Sequence, residues 1–238
     1  MRKYLNMYLT NEKTKHSSWV GSYKTRKWND VTSIIYFEKV YGGKGLLKKI
    51  KLEAENTGLH FNSSMIQENE THIWLASGWS VVERLNVLSV NLRNLELSNA
   101  ISQNFENFTK NNINELVSLD KSIFDPYWQN SEAAFIETLD SCNQNYLFKQ
   151  YDEDLLVGYA ILGVTRNFSF LQRFGISLGY QNKGHGSELL KNVLSFAKDN
   201  KYTNIRLNTQ ENNKAAKSLY VKHGFELTKT NFTILNAS

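Results

Sequence analysis

Gln181-Asn182-Lys183-Gly184-His185-Gly186 forms a glycine-containing turn between an apolar run and a strongly periodic helix. Thirty-four residues past Gly186 comes Tyr220, within the stretch Asn213-x-x-Ala216-x-x-Leu219-Tyr220-x-x-x-Gly224-Phe225. Glycines at 184 and 186 remove the Cβ barrier to close backbone approach, and the following helix points its positive end at any bound anion. The glycine turn and the Asn213-to-Phe225 pattern are each common alone. In this order they predict a phosphate-binding turn followed by a helix that carries an acid.

Upstream of the turn, the second half of the chain begins with two predicted helices. Apolar residues recur at helical spacing and predict a helix over residues 113–123. Asp125-Pro126 ends this helix, because proline disfavours the helical conformation of the residue before it. Ser131 is a predicted N-cap for the second helix.

Strands and two further helices complete this half. The predicted elements are, in order, strands at 146–150, 155–162 and 168–176, a helix through 189–197, a strand around 205–207, a helix over 214–223 and one or two strands within 225–235. Gly224 is expected to adopt the left-handed conformation that ends a helix. The resulting order, α-α-β-β-β-α-β-α-β, predicts a mixed α/β layer with one curved sheet.

The first half of the sequence resembles a diverged repeat of the second half. Gly43-Lys44-Gly45 echoes Gly184-His185-Gly186, and the glycine-to-glycine distances are 33 (45 to 78) and 38 (186 to 224) residues. The repeat is therefore imperfect, and two unrelated glycine caps after helices are the alternative. A polar stretch at residues 96–112 separates the halves, so we predict lobes at residues 1–103 and 104–238. Trp74 stands in the position of Tyr220 and has no ionisable proton, which predicts an inactive first lobe.

Charge is concentrated in the first lobe. Residues 1–103 hold 14 Lys and Arg against 9 Asp and Glu, which accounts for the whole net charge of +5. One interpretation is a surface that meets a protein or ribosomal partner; the other, which we favour, is a solvated lysine-rich helix face. We expect no membrane partner and no DNA partner.

Composition excludes several other classes of protein. Cys142 is alone, so neither a disulfide framework nor a cysteine metal site is expected. The five histidines lack ligand spacing, which predicts no metal cofactor. No run approaches the roughly 18 apolar residues of a membrane span. The first residues lack the apolar core of a signal peptide, and we therefore expect a cytoplasmic protein.

Taken together, the glycine turn and the Asn213-to-Phe225 motif resemble the GCN5-related N-acetyltransferases, the GNAT family. The resemblance spans residues 105–238 and implies a GNAT fold with acetyl-CoA as the donor. Phe124-x-x-x-Trp128 is similar, with a two-residue expansion, to the aromatic loop of ribosomal-protein alanine N-acetyltransferases. The whole chain resembles the tandem layout of mycothiol synthases, here with an incomplete first lobe.

The resemblance also implies roles for individual residues. The pantetheine arm of the donor would lie along the backbone of Phe174, Gly175 and Ile176, and Asn213 would contact it. The diphosphate would sit on the N–H groups of the turn and the helix start. The implied cofactor-binding residues of this second group are Gln181, Asn182, Lys183, Gly184, His185, Gly186 and Ser187. Phe124 and Trp128 would line the acceptor pocket, although aromatic residues in a loop between helices are as often plain core.

Tyr220 is the predicted general acid. A thiol with a pKa near 8.5 leaves readily, and a tyrosine hydroxyl with a pKa near 10 can donate a proton to the sulfur as charge develops. The alternative is an ordinary core tyrosine on an amphipathic helix, which we would favour if the glycine turn were missing.

Asn208 departs from the alanine-acetyltransferase pattern, which has a glutamate base there. Neutralising a lysine-like amine at pH 7 costs about 4.6 kcal/mol, whereas an α-amine costs about 1.1 kcal/mol. A site without a strong base should therefore prefer an α-amine or another weakly basic amine, unless Glu211 or a water chain substitutes for the missing base.

The sequence thus predicts an enzyme that transfers acetyl from acetyl-CoA to a primary amine, either a protein N-terminus or a small amino compound. The alternative is a non-catalytic acyl-CoA sensor or partner-binding module that retains the fold.

Overall fold

The computed structural model describes residues 7–96, 105–166 and 168–238. The chain forms two compact units, one made of Met1–Asn86 and Lys229–Ser238 and the other of Val87–Thr228. The lobe boundary predicted between residues 103 and 104 lies outside the described residues.

The first unit is a sheet with a helix packed on one face. Its elements are β1 (Thr14–Ser18), β2 (Gly21–Lys27), β3 (Ile34–Gly42), α1 (Lys44–Thr57), β4 (His60–Ser63), β5 (Ile66–Gln67), α2 (Thr71–Leu75) and the start of β6 (Ser80–Asn91). Strand β3 pairs antiparallel with β2 and parallel with β4. Helix α1 buries Leu46, Leu47 and Ile50 in the core of this unit because these residues recur on one face of the helix.

The second unit is a sheet covered by helices on both faces. Its further elements are β7 (Phe105–Asn107), α3 (Ile113–Ile123), α4 (Glu132–Asp140), β8 (Gln144–Asp152), β9 (Leu155–Val164), β10 (Ser169–Ile176), α5 (His185–Asp199), β11 (Asn204–Gln210), α6 (Lys214–Lys222) and the start of β12 (Glu226–Asn236). The strand order is β6-β11-β10-β9-β8-β7. On β9, Tyr159 and Ile161 face α3 and α4, whereas Ala160 and Leu162 face α5, as the two-residue period of a strand requires.

Most predicted elements of the second half are confirmed. The helix over 113–123 has the predicted bounds, and the Ser131 hydroxyl caps α4 by accepting the N–H of Ala134 at 3.3 Å. Gly224 is left-handed with φ of 86°. The last segment forms one strand, β12, whose residues from Lys229 onward belong to the first unit and pair there with β4 and β5. The mixed α/β architecture is therefore as predicted.

One strand falls inside the polar stretch that the sequence marks as a boundary. Strand β7 pairs antiparallel with β8. The Phe105 ring lies 4.4 Å from the Phe196 ring on α5, centroid to centroid. Three residues carry too little periodicity for a strand to be recognised, and it is this long-range aromatic contact that fixes the strand.

Both halves repeat the order of strand, glycine turn, helix, parallel strand, short helix and strand. In the first half of the chain the series is β3, α1, β4, α2 and β6, and in the second half it is β10, α5, β11, α6 and β12. Among the described residues, no helix is both long and apolar enough to cross a lipid bilayer.

Candidate active site

Strands β10 and β11 separate shortly after they begin. They are parallel neighbours, but only Ser169 with Ile205 and Phe170 with Arg206 are paired. Beyond these pairs, β10 continues to Ile176 and, among the described residues, pairs only with β9, so its other edge is open there. Open strand edges present unpaired N–H and C=O groups that an extended ligand can bind. Phe174, Gly175 and Ile176, predicted to hold the pantetheine arm, all lie on this open segment.

The glycine turn follows β10 and leads into α5. Asn182 has φ of 61° and Gly184 has φ of 97°, so the backbone is left-handed at both positions. Gly184 is the N-cap of α5, and no side chain caps this helix. The N–H groups of the first helical turn have no partner within the helix, and here they are available to a ligand anion.

Residues from the turn, from β10 and from α6 converge at one place. A Cβ added to Gly186 would lie 3.5 Å from Leu219 Cδ2, 3.7 Å from Ile176 Cγ1 and 4.0 Å from Phe174 Cζ. The Phe174 and Tyr220 ring centroids are 6.0 Å apart in an edge-to-face arrangement. The structure thus brings together the predicted phosphate turn, the predicted pantetheine strand and the predicted acid.

Tyr220 combines a buried ring with an unpaired hydroxyl. The residue is 6 % exposed and packs in the core of the unit, which fits the expectation of a core tyrosine as far as the ring is concerned. No hydrogen bond to the hydroxyl exists within the described part of the chain, and the oxygen is not among the fully buried atoms without a partner. Burial raises the pKa of Tyr220 above its usual value of about 10. The hydroxyl is therefore a protonated donor that keeps some accessible surface and has no hydrogen-bond partner among the described residues.

Other side chains of the turn make local contacts. Gln181 Nε2 donates to the Ile176 carbonyl at 2.9 Å, which ties the turn to the end of β10. The Lys183 ammonium lies 4.9 Å from the centroid of the Tyr180 ring. His185 Nε2 lies 3.4 Å from Asp152 Oδ1 on β8. These side-chain contacts are local to the turn. An anion would therefore be bound by the backbone N–H groups and by the positive charge of Lys183.

Asn213 has a structural role that its motif did not reveal. Its Oδ1 accepts the N–H of Ala216 at 3.0 Å and so caps α6, and its Nδ2 donates to Gln210 Oε1 at 3.3 Å. A cap residue of this kind stabilises a helix by about 1 kcal/mol. Asn213 therefore fixes the start of the helix that carries Tyr220.

A contact between Ser187, which the resemblance assigns to the diphosphate, and His223, which the sequence did not single out, joins the two helices of the site. Ser187 Oγ lies 2.9 Å from His223 Nε2, and His223 Nδ1 lies 2.8 Å from the Leu219 carbonyl oxygen. Because a carbonyl only accepts, Nδ1 carries a proton, and the Nε2–Oγ contact closes a bridge between α5 and the end of α6. His223 falls in the unspecified x-x-x of the motif, so the spacing gave no signal for it.

The predicted acceptor residues lie on the other face of β10. A Cβ on Gly175 would meet Ile123 Cγ2 at 2.4 Å and Phe124 Cζ at 2.9 Å, so the Phe124 ring sits directly on this glycine. Trp128 belongs to the same loop, and its carbonyl oxygen accepts from Arg173 Nη2 at 2.6 Å. Asn208 is exposed on β11, between buried Leu207 and Thr209. The Phe124 and Tyr220 contacts are thus on opposite faces of one strand.

A buried ion pair supports this loop and was also missed by sequence analysis. Asp120 is fully buried and accepts from Arg173 Nε at 2.9 Å and from Arg173 Nη2 at 2.8 Å. The Tyr159 hydroxyl donates to Asp120 as well, and burial raises the pKa of Tyr159. The sequence did hold one indication of this pair. Asp120 is an acidic residue on the apolar stripe of α3, between Leu116 and Ile123.

The first unit carries a different residue at the place equivalent to Tyr220. Trp74 is 1 % exposed and packs edge-to-face on Trp79 with ring centroids 4.8 Å apart. Trp74 is therefore a core residue of the first unit.

A cleft of about 400 Å³ near the start of α1 is lined by Lys39, Val40, Tyr41, Gly42 and Gly43.

Comparison with known proteins identifies the second unit. Residues 113–225 match the family model described as "Acetyltransferase (GNAT) family". No curated protein matches the chain.

Solved structures with the same fold cover nearly the whole chain. A tandem GNAT protein from the clavulanic acid biosynthesis pathway is 11 % identical with a TM-score of 0.66, covering 98 % of this chain and 86 % of its own. A GCN5-related N-acetyltransferase from Sphaerobacter thermophilus is 13 % identical with a TM-score of 0.60, covering 91 % and 76 %. One from Kribbella flavida is 11 % identical with a TM-score of 0.60, covering 94 % and 89 %. At these identities the likeness shows a shared fold, whereas the family model rests on the sequence itself. Residues 113–225 of this chain therefore match the acetyltransferase (GNAT) family in sequence, and the chain shares the fold of solved GNAT proteins.

Proposed function

We propose that the protein is an acetyl-CoA-dependent N-acetyltransferase whose active site is in the second unit. The family supports acyl transfer in general. The observation that carries the specific proposal is the unpaired Tyr220 hydroxyl, beside the open edge of β10 and the uncapped start of α5.

The residues present fit a donor with a diphosphate and an extended arm. The left-handed Gly184 and the free N–H groups at the start of α5 suit a diphosphate, with Lys183 adding positive charge. The open edge of β10 from Phe174 to Ile176 suits an arm that hydrogen-bonds in the manner of a strand. When bound, acetyl-CoA supplies an acetyl group activated as a thioester.

Tyr220 is the group we assign to donate a proton to the departing thiolate. Its raised pKa keeps it protonated throughout the neutral range, and the lack of a protein partner leaves the hydroxyl free to donate. The first unit has buried Trp74 at the equivalent place, which supports one active site per chain.

The acceptor amine would approach from the Phe124 face of β10, because Tyr220 and Phe174 occupy the other face. Position 208 holds an asparagine rather than a carboxylate, so the amine should already be largely neutral when it binds. We therefore propose a protein N-terminal α-amine or a small, weakly basic amino compound. Faster turnover of lysine side chains than of peptide α-amines at pH 7 would contradict this choice.

The variant Tyr220→Phe tests the catalytic assignment. Turnover, followed as thiol release during an acceptor screen that includes N-terminal peptides, should fall roughly a hundredfold or more, because general acid catalysis contributes about 10²- to 10⁴-fold. Acetyl-CoA affinity measured by calorimetry should be unchanged. Tight binding of acetyl-CoA with no transfer by the unaltered protein to any amine would instead favour an acyl-CoA sensor.

A ribosomal or acidic protein partner would meet the first unit through α1. Lys44, Lys48 and Lys49 are exposed there, and the first turn of the helix holds no acidic residue. Salt-dependent co-sedimentation with ribosomes would support this docking. Its absence would mark the lysines as an ordinary solvated helix face.

A further inference from the structure

An ion pair joins helix α3, which leads into the acceptor loop (residues 124–131), to the open strand β10. Arg173 lies on β10, and Asp120 lies on α3. Their bidentate contact fixes both the direction and the distance of the guanidinium group. The charge of Asp120, which is fully buried, is compensated by Arg173, by the Tyr159 hydroxyl and by the N–H of Asn130 at 2.7 Å.

The same pair holds the loop between α3 and α4 at three points. Arg173 Nη2 donates to the Trp128 carbonyl at 2.6 Å, and Asp120 Oδ2 accepts the N–H of Asn130. The Arg173 guanidinium carbon lies 3.6 Å from the centroid of the Phe124 ring, so the group also stacks on that ring. The two contacts made by Arg173, with the Trp128 carbonyl and with the Phe124 ring, depend on the planar fork of an arginine.

A bulge in β10 places Arg173 on this face. The pairing with β9 shifts between Leu171 and Arg173, so that Gln172 is an extra residue. Leu171 and Phe174 consequently both face the α5 side, and Arg173 faces α3. Without the extra residue, a strand period of two would put Leu171 and Arg173 on one face.

We propose that Asp120 and Arg173 are positioning residues that set the acceptor loop against the donor strand. The proposal rests on the proposed function, because it takes the Phe124 face of β10 as the acceptor side. The hydrogen bonds and ring contact of the pair lie on the α3 side of β10 and involve neither the start of α5 nor Tyr220, so we expect its main effect on acceptor binding rather than on donor binding.

Arg173→Lys is the discriminating variant. Lysine keeps a positive charge beside Asp120 but cannot contact the carboxylate, the Trp128 carbonyl and the Phe124 ring at once. The acceptor KM should rise roughly ten- to hundredfold, the range expected for misplacement by about 1 Å. The acetyl-CoA dissociation constant should stay within about twofold of the original, as for independent sites.

A double variant distinguishes an effect on the position of the acceptor loop from an effect on the stability of the protein. Asp120→Leu with Arg173→Met replaces the pair by apolar side chains, which often restores stability to a site that has lost a buried ion pair. Its melting temperature should return toward that of the original protein while the acceptor KM stays high. Recovery of the acceptor KM together with stability would overturn the proposal.

Lys149→Gln is the matched control, since Lys149 forms ion pairs at 3.0 Å with Glu106 and at 2.7 Å with Glu115 on the same helix as Asp120. It should leave the acceptor KM unchanged. An equal rise of the acceptor KM in Lys149→Gln and Arg173→Lys would reduce the Asp120 pair to a general stability effect and refute its positioning role.

Amide hydrogen exchange decides the matter without any turnover. In Arg173→Lys, exchange should quicken in residues 124–130 and stay unchanged in β9 around Ala160. Unchanged exchange in the loop would refute the positioning role even if the protein is an acetyltransferase. Failure of the unaltered protein to transfer acetyl would refute the proposed function, and quickened loop exchange would still show that the pair holds the loop.

Discussion

The variant Gly186→Ala tests whether the start of α5 binds a diphosphate, because the substitution should impair that binding without disturbing the folding of the helix. The added Cβ would meet its nearest atoms at 3.5, 3.7 and 4.0 Å, which is ordinary van der Waals contact. Alanine stabilises a helix interior relative to glycine by about 0.5–1 kcal/mol, and less near an end. The melting temperature should therefore stay the same or rise by up to about 4 °C.

Donor binding should weaken in the same variant. The Cβ would extend toward Leu219, Ile176 and Phe174 beside the first turn of α5, and under the proposed function it would crowd a diphosphate bound to that turn. Loss of one hydrogen bond to a charged group costs about 1.5–3 kcal/mol. The dissociation constant for acetyl-CoA, measured by titration calorimetry, should rise roughly ten- to hundredfold.

Gly45→Ala is the matched control in the first unit. Gly45 is the second residue of α1, as Gly186 is of α5, and its added Cβ would lie 3.6 Å from Val20 Cγ1. The control should bind acetyl-CoA as the original protein does. Unchanged affinity in Gly186→Ala, or an equal loss in Gly45→Ala, would refute the assignment of the diphosphate to α5.

The remaining predictions concern stability. Gly175→Ala should lower the free energy of unfolding by about 1–3 kcal/mol, because its Cβ would overlap Ile123 and Phe124; an unchanged urea midpoint would contradict the packing described. Ser187→Ala and His223→Ala should show a coupling energy of about 0.5–1.5 kcal/mol in a double-mutant cycle of urea unfolding, and additive effects would mean that the 2.9 Å contact is not a stabilising bond. Stability should also fall as the pH rises above about 10, because burial raises the pKa of several tyrosines in the folded state, to about 12 for Tyr202. The unfolded chain then loses these protons first, at a cost of about 1.4 kcal/mol per pH unit for each tyrosine still protonated. Equal urea midpoints at pH 9 and pH 11 would contradict this. The tyrosines concerned are Tyr8, Tyr23, Tyr159, Tyr202 and Tyr220.

Sequence patterns predicted those parts of the fold that depend on local periodicity and on turn residues. Helix α3 has the predicted bounds, and Gly224 has the predicted left-handed backbone, because both depend on residues within one or two turns. Strand β7 escaped prediction because three residues show no period and its position depends on the distant Phe196 ring.

The candidate site likewise has parts that short sequence motifs predict and parts that depend on distant contacts. The glycine turn and Tyr220 come from short motifs, and the structure brings them to one place. The contacts of Asp120 with Arg173, and of Ser187 with His223, join residues 53 and 36 positions apart. No local pattern specifies such pairs, and the bulge at Gln172 that turns Arg173 toward α3 is visible only in the strand register.

A crystal structure with bound coenzyme A tests the central claim most directly. The account predicts diphosphate oxygens within hydrogen-bond distance, about 2.7–3.2 Å, of the backbone N–H groups between Asn182 and Ser187. The sulfur should lie beside the Tyr220 hydroxyl. Coenzyme A bound only at the cleft of the first unit, or a sulfur remote from Tyr220, would contradict it.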